Sequence, residues 1–199
     1  MEGKHLYIIS GCNGAGKTTA SMTILPGMLN CKEYINADEI ARGLSPFQPE
    51  GVSFEAGRIM LGRIDDLMHK GTDFAFETTL AAKTYSSRIA IAQSKGYRVT
   101  LLFFWLQDVN LAKERVKARV SDGGHGIPEH VIERRYARGI KNLFEVYLPI
   151  VDGALIFDNS IGDPLLIAFK SANQSLEIEN KAMYEHLTGA YERYKQIGH

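Results

Sequence analysis

Residues 11–18 read Gly11-Cys12-Asn13-Gly14-Ala15-Gly16-Lys17-Thr18, a match to the pattern G-x-x-x-x-G-K-[ST]. Glycines at these spacings let the backbone fold back so that successive N–H groups converge on phosphate oxygens. An apolar run from His5 to Ile9 precedes the loop and a helical stretch begins at Lys17. The loop therefore opens a helix, whose positive dipole end meets the same phosphates. Lys17 adds a full charge for the β- and γ-phosphates, and the Thr18 hydroxyl is a ligand for magnesium. The expected binding set for ATP and Mg2+ is Gly11, Cys12, Asn13, Gly14, Ala15, Gly16, Lys17, Thr18 and Thr19. In a chain of ordinary composition such a match arises by chance on the order of one time in a hundred. The strand before it and the helix after it make coincidence rarer still.

Outward from the loop, short apolar runs alternate with amphipathic helical stretches, the pattern of an α/β protein with a parallel sheet. Further strands are expected at Tyr34-Ile35, Phe74 to Phe76, Arg98 to Leu106 and Ala154 to Phe157. Arg98 to Leu106 is the most hydrophobic and should lie centrally, covered on both faces. Helices are expected over Phe54 to Lys70, with Ile59, Ile64 and Leu67 among the apolar positions, and over Tyr85 to Lys95. A helix capped by Asp108 runs to about Val120, and a basic one runs from Pro128 to about Leu143. Between those two lies Ser121-Asp122-Gly123-Gly124-His125-Gly126, which suits no regular element and marks a lid over 120–128. Leu165 to Lys170 and Ser175 to Glu179 resemble a β-hairpin, followed by a helix from about Lys181 to Ile197. The expected fold is a three-layer α/β sandwich of the P-loop NTPase type. Its sheet has about five parallel strands with helices on both faces, plus a C-terminal β-hairpin and helix. With no linker and no repeat, residues 1–199 read as one domain.

The 199 residues are 45% hydrophobic and 23% charged, as in an ordinary globular protein. Acidic and basic residues balance at 23 each, which argues against a nucleic-acid platform. The longest apolar run falls far short of the roughly 20 residues that cross a bilayer. No secretory leader is evident, and the two cysteines form no metal or disulfide motif, so a cytoplasmic protein is expected. No NKxD-type guanine reader, LSGGQ-like segment or long apolar strand ending in Asp-Glu occurs. What remains suits a small-molecule kinase, in which catalysis is mostly positioning and charge neutralisation.

Ligands of such sheets bind outside the carboxyl ends of the strands. Asn36-Ala37-Asp38 follows the second strand, so Asp38 is placed to take a proton from an acceptor hydroxyl, unless it only caps the helix beginning at Glu39. Arg42, one turn further on, is expected to bind the acceptor together with Asp38. Glu77 ends the third strand, where it can hold magnesium or bind acceptor hydroxyls, with Thr78 and Thr79 adding donors. Arg115 and Arg119 precede the Gly-rich segment, and Arg134, Arg135 and Arg138 follow it. Arginine stabilises charge on a transferring phosphoryl group, and Arg119 and Arg134 are the pair selected for that role. A helix bearing several arginines can equally be a solvated face paired to Glu129 and Glu133. Asp158-Asn159-Ser160 follows the final core strand, where a purine can rest in adenylate-kinase-like topologies, although as a turn the same residues need no function.

Gly11 to Thr19, Asn36 to Arg42, Phe76 to Leu80 and Arg119 through Arg135 together resemble the zeta toxin family of P-loop kinases, in its short stand-alone branch. Asn142-Leu143 and Phe157 to Ser160 extend the resemblance, which spans roughly residues 5–160 in order. It implies an ATP-dependent kinase, and characterised members phosphorylate UDP-N-acetylamino sugars. By analogy Lys17 and Thr18 bind phosphate and magnesium, Asp38 is the base, Glu77 and Thr78 hold the sugar, and lid arginines stabilise transfer. The expected partners are a small-molecule acceptor such as a nucleotide sugar and a separate antitoxin protein. The Gly-Gly-His lid and the C-terminal hairpin depart from the best-known toxins. A competing reading is a nucleotide-gated binding module with little turnover, recognised in its loaded state by an antitoxin.

Overall fold

The structure is a computed structural model that describes residues 3–121, 126–172 and 174–196. Apolar strand β1 (Lys4–Ser10) is almost wholly buried and lies between β3 (Phe74–Thr78) and β4 (Tyr97–Trp105), parallel to both. Outside β3 is β2 (Glu33–Ile35), and outside β4 is β5 (Gly153–Asp158), again parallel. Continuous apolar runs in β3 and β4 are what burial on both faces requires. The core gathers around them, with Phe74, Phe76, Phe104 and Trp105 fully enclosed.

Beyond β5 the structure adds to the expectation. The hairpin strands β6 (Leu165–Lys170) and β7 (Glu177–Ile178) do not stand apart from the sheet. They continue it antiparallel, giving seven strands in the order β2-β3-β1-β4-β5-β6-β7. The reason is an open edge: β5 has unpaired backbone groups beside it, and β6 satisfies them.

Helix α1 (Lys17–Gly27) follows β1, with Pro26 in its last turn. Helix α2 (Ala37–Leu44) follows β2, and α3 (Ser53–Lys70) leads to β3, stopped by Gly71 in the left-handed region. In α3 the buried stripe is Ala56, Met60, Ile64, Leu67 and Met68. Ile59, expected among the apolar positions, is instead 42% exposed. Helices α4 (Tyr85–Ser94) and α5 (Val109–Ser121) flank β4, and Asp108 accepts from the Asn110 N–H at 2.9 Å as its capping role requires. The basic helix α6 (Glu129–Asn142) runs on into a π-helical turn, Leu143–Tyr147, and a last helical turn α7 (Leu148–Ile150). Helix α8 (Lys181–Lys195) closes the described chain. Residues 122–125 of the expected lid, His125 among them, lie outside the described residues.

Two features prepare the site. At Gly11, with φ +142°, an added Cβ would lie 2.2 Å from the Phe104 carbonyl oxygen, so the loop can leave β1 tight against β4 only with glycine there. After β3, Leu80 takes a positive φ of 61°, uncommon for such a side chain. It is held there by Thr78 Oγ1, which accepts its N–H, and by Asn142 Nδ2, which donates to its carbonyl at 2.9 Å. Tyr147 of the π-helical turn donates to the Ala82 carbonyl, so α6 and its continuation fasten the loop after β3 from behind.

Candidate active site

The loops after β1, β2 and β3 open on the carboxyl edge of the sheet, where two clefts adjoin. The first, of about 290 Å³, is lined by Gly14, Gly16, Thr18 and Thr19 of the loop and by Arg115 and Arg119 of α5. The second, of about 200 Å³, is lined by Met60, Thr78, Thr79, Tyr85 and Arg135. Asn13, Lys17, Asn36, Asp38 and Glu77 line both. The shared wall carries an ammonium group, two carboxylates and two amides.

Helix α1 starts at Gly16 in the left-handed region without a side-chain cap, so its first N–H groups have no helical partner. Lys17 lies 6% exposed on the cleft floor. Its Nζ donates to the Cys12 carbonyl at 2.9 Å and sits 3.4 Å from Glu77 Oε1. Cys12 contributes only main chain, since its thiol is buried and burial raises its pKa to about 11. Thr18 Oγ1 donates to Glu77 Oε2 at 2.8 Å. The same oxygen accepts from Asn36 Nδ2 at 3.1 Å and from the Tyr34 hydroxyl. Glu77 thus stands near the end of β3, the strand beside β1, with three donors on one carboxylate oxygen.

Asn36, not Asp38, caps α2: its Oδ1 accepts the N–H groups of Asp38 and Glu39 at 2.8 and 3.4 Å. Asp38 is therefore free of that task, and it is exposed on the shared wall. Thr78 and Thr79 lie together in the second cleft, whose apolar wall is Met60 and Tyr85, the latter stacked on Phe76 at 4.9 Å. Arg42, expected to bind the acceptor, is not on the second cleft with Thr78 and Thr79. It lines the first cleft, half exposed, and pairs with Glu39 at 3.1 Å.

The arginines divide sharply. Arg119 lines the first cleft, and its Nε and Nη2 are buried with no hydrogen-bond partner among the described residues. Unpaired guanidinium N–H groups beside a glycine loop are the donor chemistry that suits phosphate. Arg115 is spent on structure, donating to the carbonyls of Asn159 and Ser160 at 2.9 and 2.8 Å. Arg134, selected from the sequence, is exposed and lines neither cleft. Arg135, its neighbour, lines the second cleft and donates to Asn13 Oδ1 at 3.1 Å. Burial lowers the Arg135 pKa, and the Asp38 charge opposes that shift. The physical reason is helix phase. Ile132, Tyr136 and Ile140 form the buried stripe of α6, Arg135 is on its flank, and Arg134 is on the opposite side. Asp158-Asn159-Ser160 acts as a latch: Asn159 Nδ2 donates to the Ala15 carbonyl at 2.7 Å and Asp158 accepts from Ser160 and Gln107.

The sequence model of the zeta toxin family matches residues 2–160. The chain belongs to the zeta toxin family. One relative, an uncharacterized protein of Haemophilus influenzae, is 29% identical over 136 residues, which is 68% of this chain and 94% of that one. Among solved structures, the AvrRxo1-ORF1:AvrRxo1-ORF2 complex with ATP superposes with a TM-score of 0.77 at 18% identity, over 94% of this chain. This chain spans 64% of the length of that one. The PezAT chromosomal toxin–antitoxin system of Streptococcus pneumoniae gives a TM-score of 0.68 at 16% identity, over 99% of this chain and 88% of that one. The zeta toxin match ends at Ser160, so β6, β7 and α8 lie beyond it.

Proposed function

We infer that this zeta toxin family member is an ATP-dependent phosphotransferase that moves the γ-phosphate onto a hydroxyl of a small molecule. The observation that carries this is the pair of adjoining clefts sharing Lys17, Asp38 and Glu77. In this reading the first cleft takes the triphosphate on the loop N–H groups, Lys17 and Arg119. The second takes the acceptor. As the acceptor oxygen bonds to the γ-phosphorus, the bond from that phosphorus to the β-phosphate oxygen breaks and ADP leaves. The acceptor's proton passes to Asp38. Lys17, Arg119 and Arg135 face the charge on the transferring group.

Among the described residues no group of three or more His, Cys, Asp or Glu is arranged to hold a metal ion. Thr18 and Glu77 still suit Mg2+, which needs only one or two protein oxygens beside phosphate and water. When bound, Mg2+ neutralises the phosphate oxygens. The second cleft joins polar groups to the Met60–Tyr85 wall, chemistry that suits a sugar ring, and a UDP-N-acetylamino sugar is the acceptor class the family implies. A separate antitoxin is the partner this reading adds, supported by the likeness to the PezAT toxin–antitoxin system.

The test is label transfer from γ-labelled ATP across UDP-N-acetylamino sugars, nucleosides and simple sugars. Label moving to one acceptor class is the expected result. ATP binding with transfer to none of them would favour a nucleotide-gated module instead. With an acceptor in hand, Arg135→Ala is expected to lower turnover about 10²-fold, the scale of one preorganised donor. Arg134→Ala should stay within about twofold of the parent, as exposed substitutions do.

A further inference from the structure

Tyr34 has no part in the chemistry above, yet its hydroxyl donates to Glu77 Oε2. Strand β2 pairs with β3 in parallel, with Tyr34 beside Ala75, so Tyr34 lies on the sheet face that also carries Glu77 two residues on. Asn36, the first residue past β2, keeps an extended backbone, so Tyr34 and Asn36, two apart, both reach the carboxylate. With Thr18 at 2.8 Å, three donors converge on Oε2, while Oε1 has Lys17 Nζ at 3.4 Å. A carboxylate held so on one oxygen has its plane set and its second oxygen turned toward the loop.

We propose that Tyr34 is a positioning residue of the metal–nucleotide site, pinning Glu77 so that it holds the Thr18 proton on one oxygen and presents the other to the nucleotide. This rests on the reading of Thr18 and Glu77 as the protein groups that hold Mg2+ beside ATP. The competing account is that the hydroxyl merely finds a partner at the end of an edge strand, and it makes a different prediction for metal coupling.

Calorimetry with ATP in excess Mg2+ and in EDTA separates them, using the parent, Tyr34→Phe, Glu77→Gln and the double variant. Phenylalanine keeps the ring and removes one donor. Tyr34→Phe is expected to leave the metal-free ATP affinity unchanged and to cut the Mg2+ enhancement about tenfold, as loss of an outer partner of a metal site does. In the Glu77→Gln background it should add nothing. An enhancement within about twofold of the parent's, or an effect that simply adds to that of Glu77→Gln, overturns the proposal. So does an equal loss with and without metal. A folded parent that takes up no magnesium-ATP at all is a different result, and it sinks the phosphotransferase reading along with this one.

Discussion

Lys17→Met is expected to weaken magnesium-ATP binding about 10- to 100-fold, the worth of a hydrogen bond to a charged group. Turnover should fall further, about 10²- to 10³-fold, because the same charge faces the group in flight. Methionine keeps most of the stem that packs on the cleft floor and removes only the ammonium. A second effect must be weighed against the first. Lys17 and Glu77 are 6% and 10% exposed, and breaking a buried pair costs about 3–5 kcal/mol when the remaining charge is stranded. Glu77 is not stranded, because Thr18, Tyr34 and Asn36 still donate to it. Stability should therefore drop by less than that range, and thermal unfolding without nucleotide reads it directly. A folded Lys17→Met protein that binds magnesium-ATP as tightly as the parent would remove the foundation of the nucleotide assignment.

Asp38→Asn separates chemistry from binding. Asp38 makes no cap, stands exposed on the wall common to both clefts, and interacts with Arg135 through its charge. Asparagine preserves shape and cannot take the acceptor proton. Turnover is expected to fall about 10²- to 10⁴-fold, the usual contribution of a general base. ATP affinity should hardly move, since phosphate is gripped by the loop. Single-turnover label transfer beside calorimetric ATP titration measures the two separately. An equal loss in both would make Asp38 a nucleotide-site residue rather than the base.

The parts of this site legible in the sequence are those set by local rules. A glycine loop between strand and helix carries its own geometry, and acids at strand ends fall at the carboxyl edge in any such sheet. That rule puts Asp38 and Glu77 on the edge where both clefts open. Tyr34 and Asn36 were not assigned to Glu77, because nothing in spacing says that Ile35 will pair with Phe76. Arg135 was open to discovery: the apolar phase of α6 puts it beside the core and puts Arg134 away from it. The hairpin's place was hidden for another reason. A short apolar run marks β6 as a strand but does not name its neighbour, and the free side of β5 supplies one.

The two outermost strands of the sheet are unusually brief, three residues in β2 and two in β7. So little open main chain gives a visiting peptide few amides and carbonyls to zip onto at either rim. A protein that captures this molecule by lending it an extra strand would gain very few ladder bonds. Recognition of this fold by another polypeptide therefore falls to side chains on helices and loops, which is also where sequence can vary to tell one partner from the next.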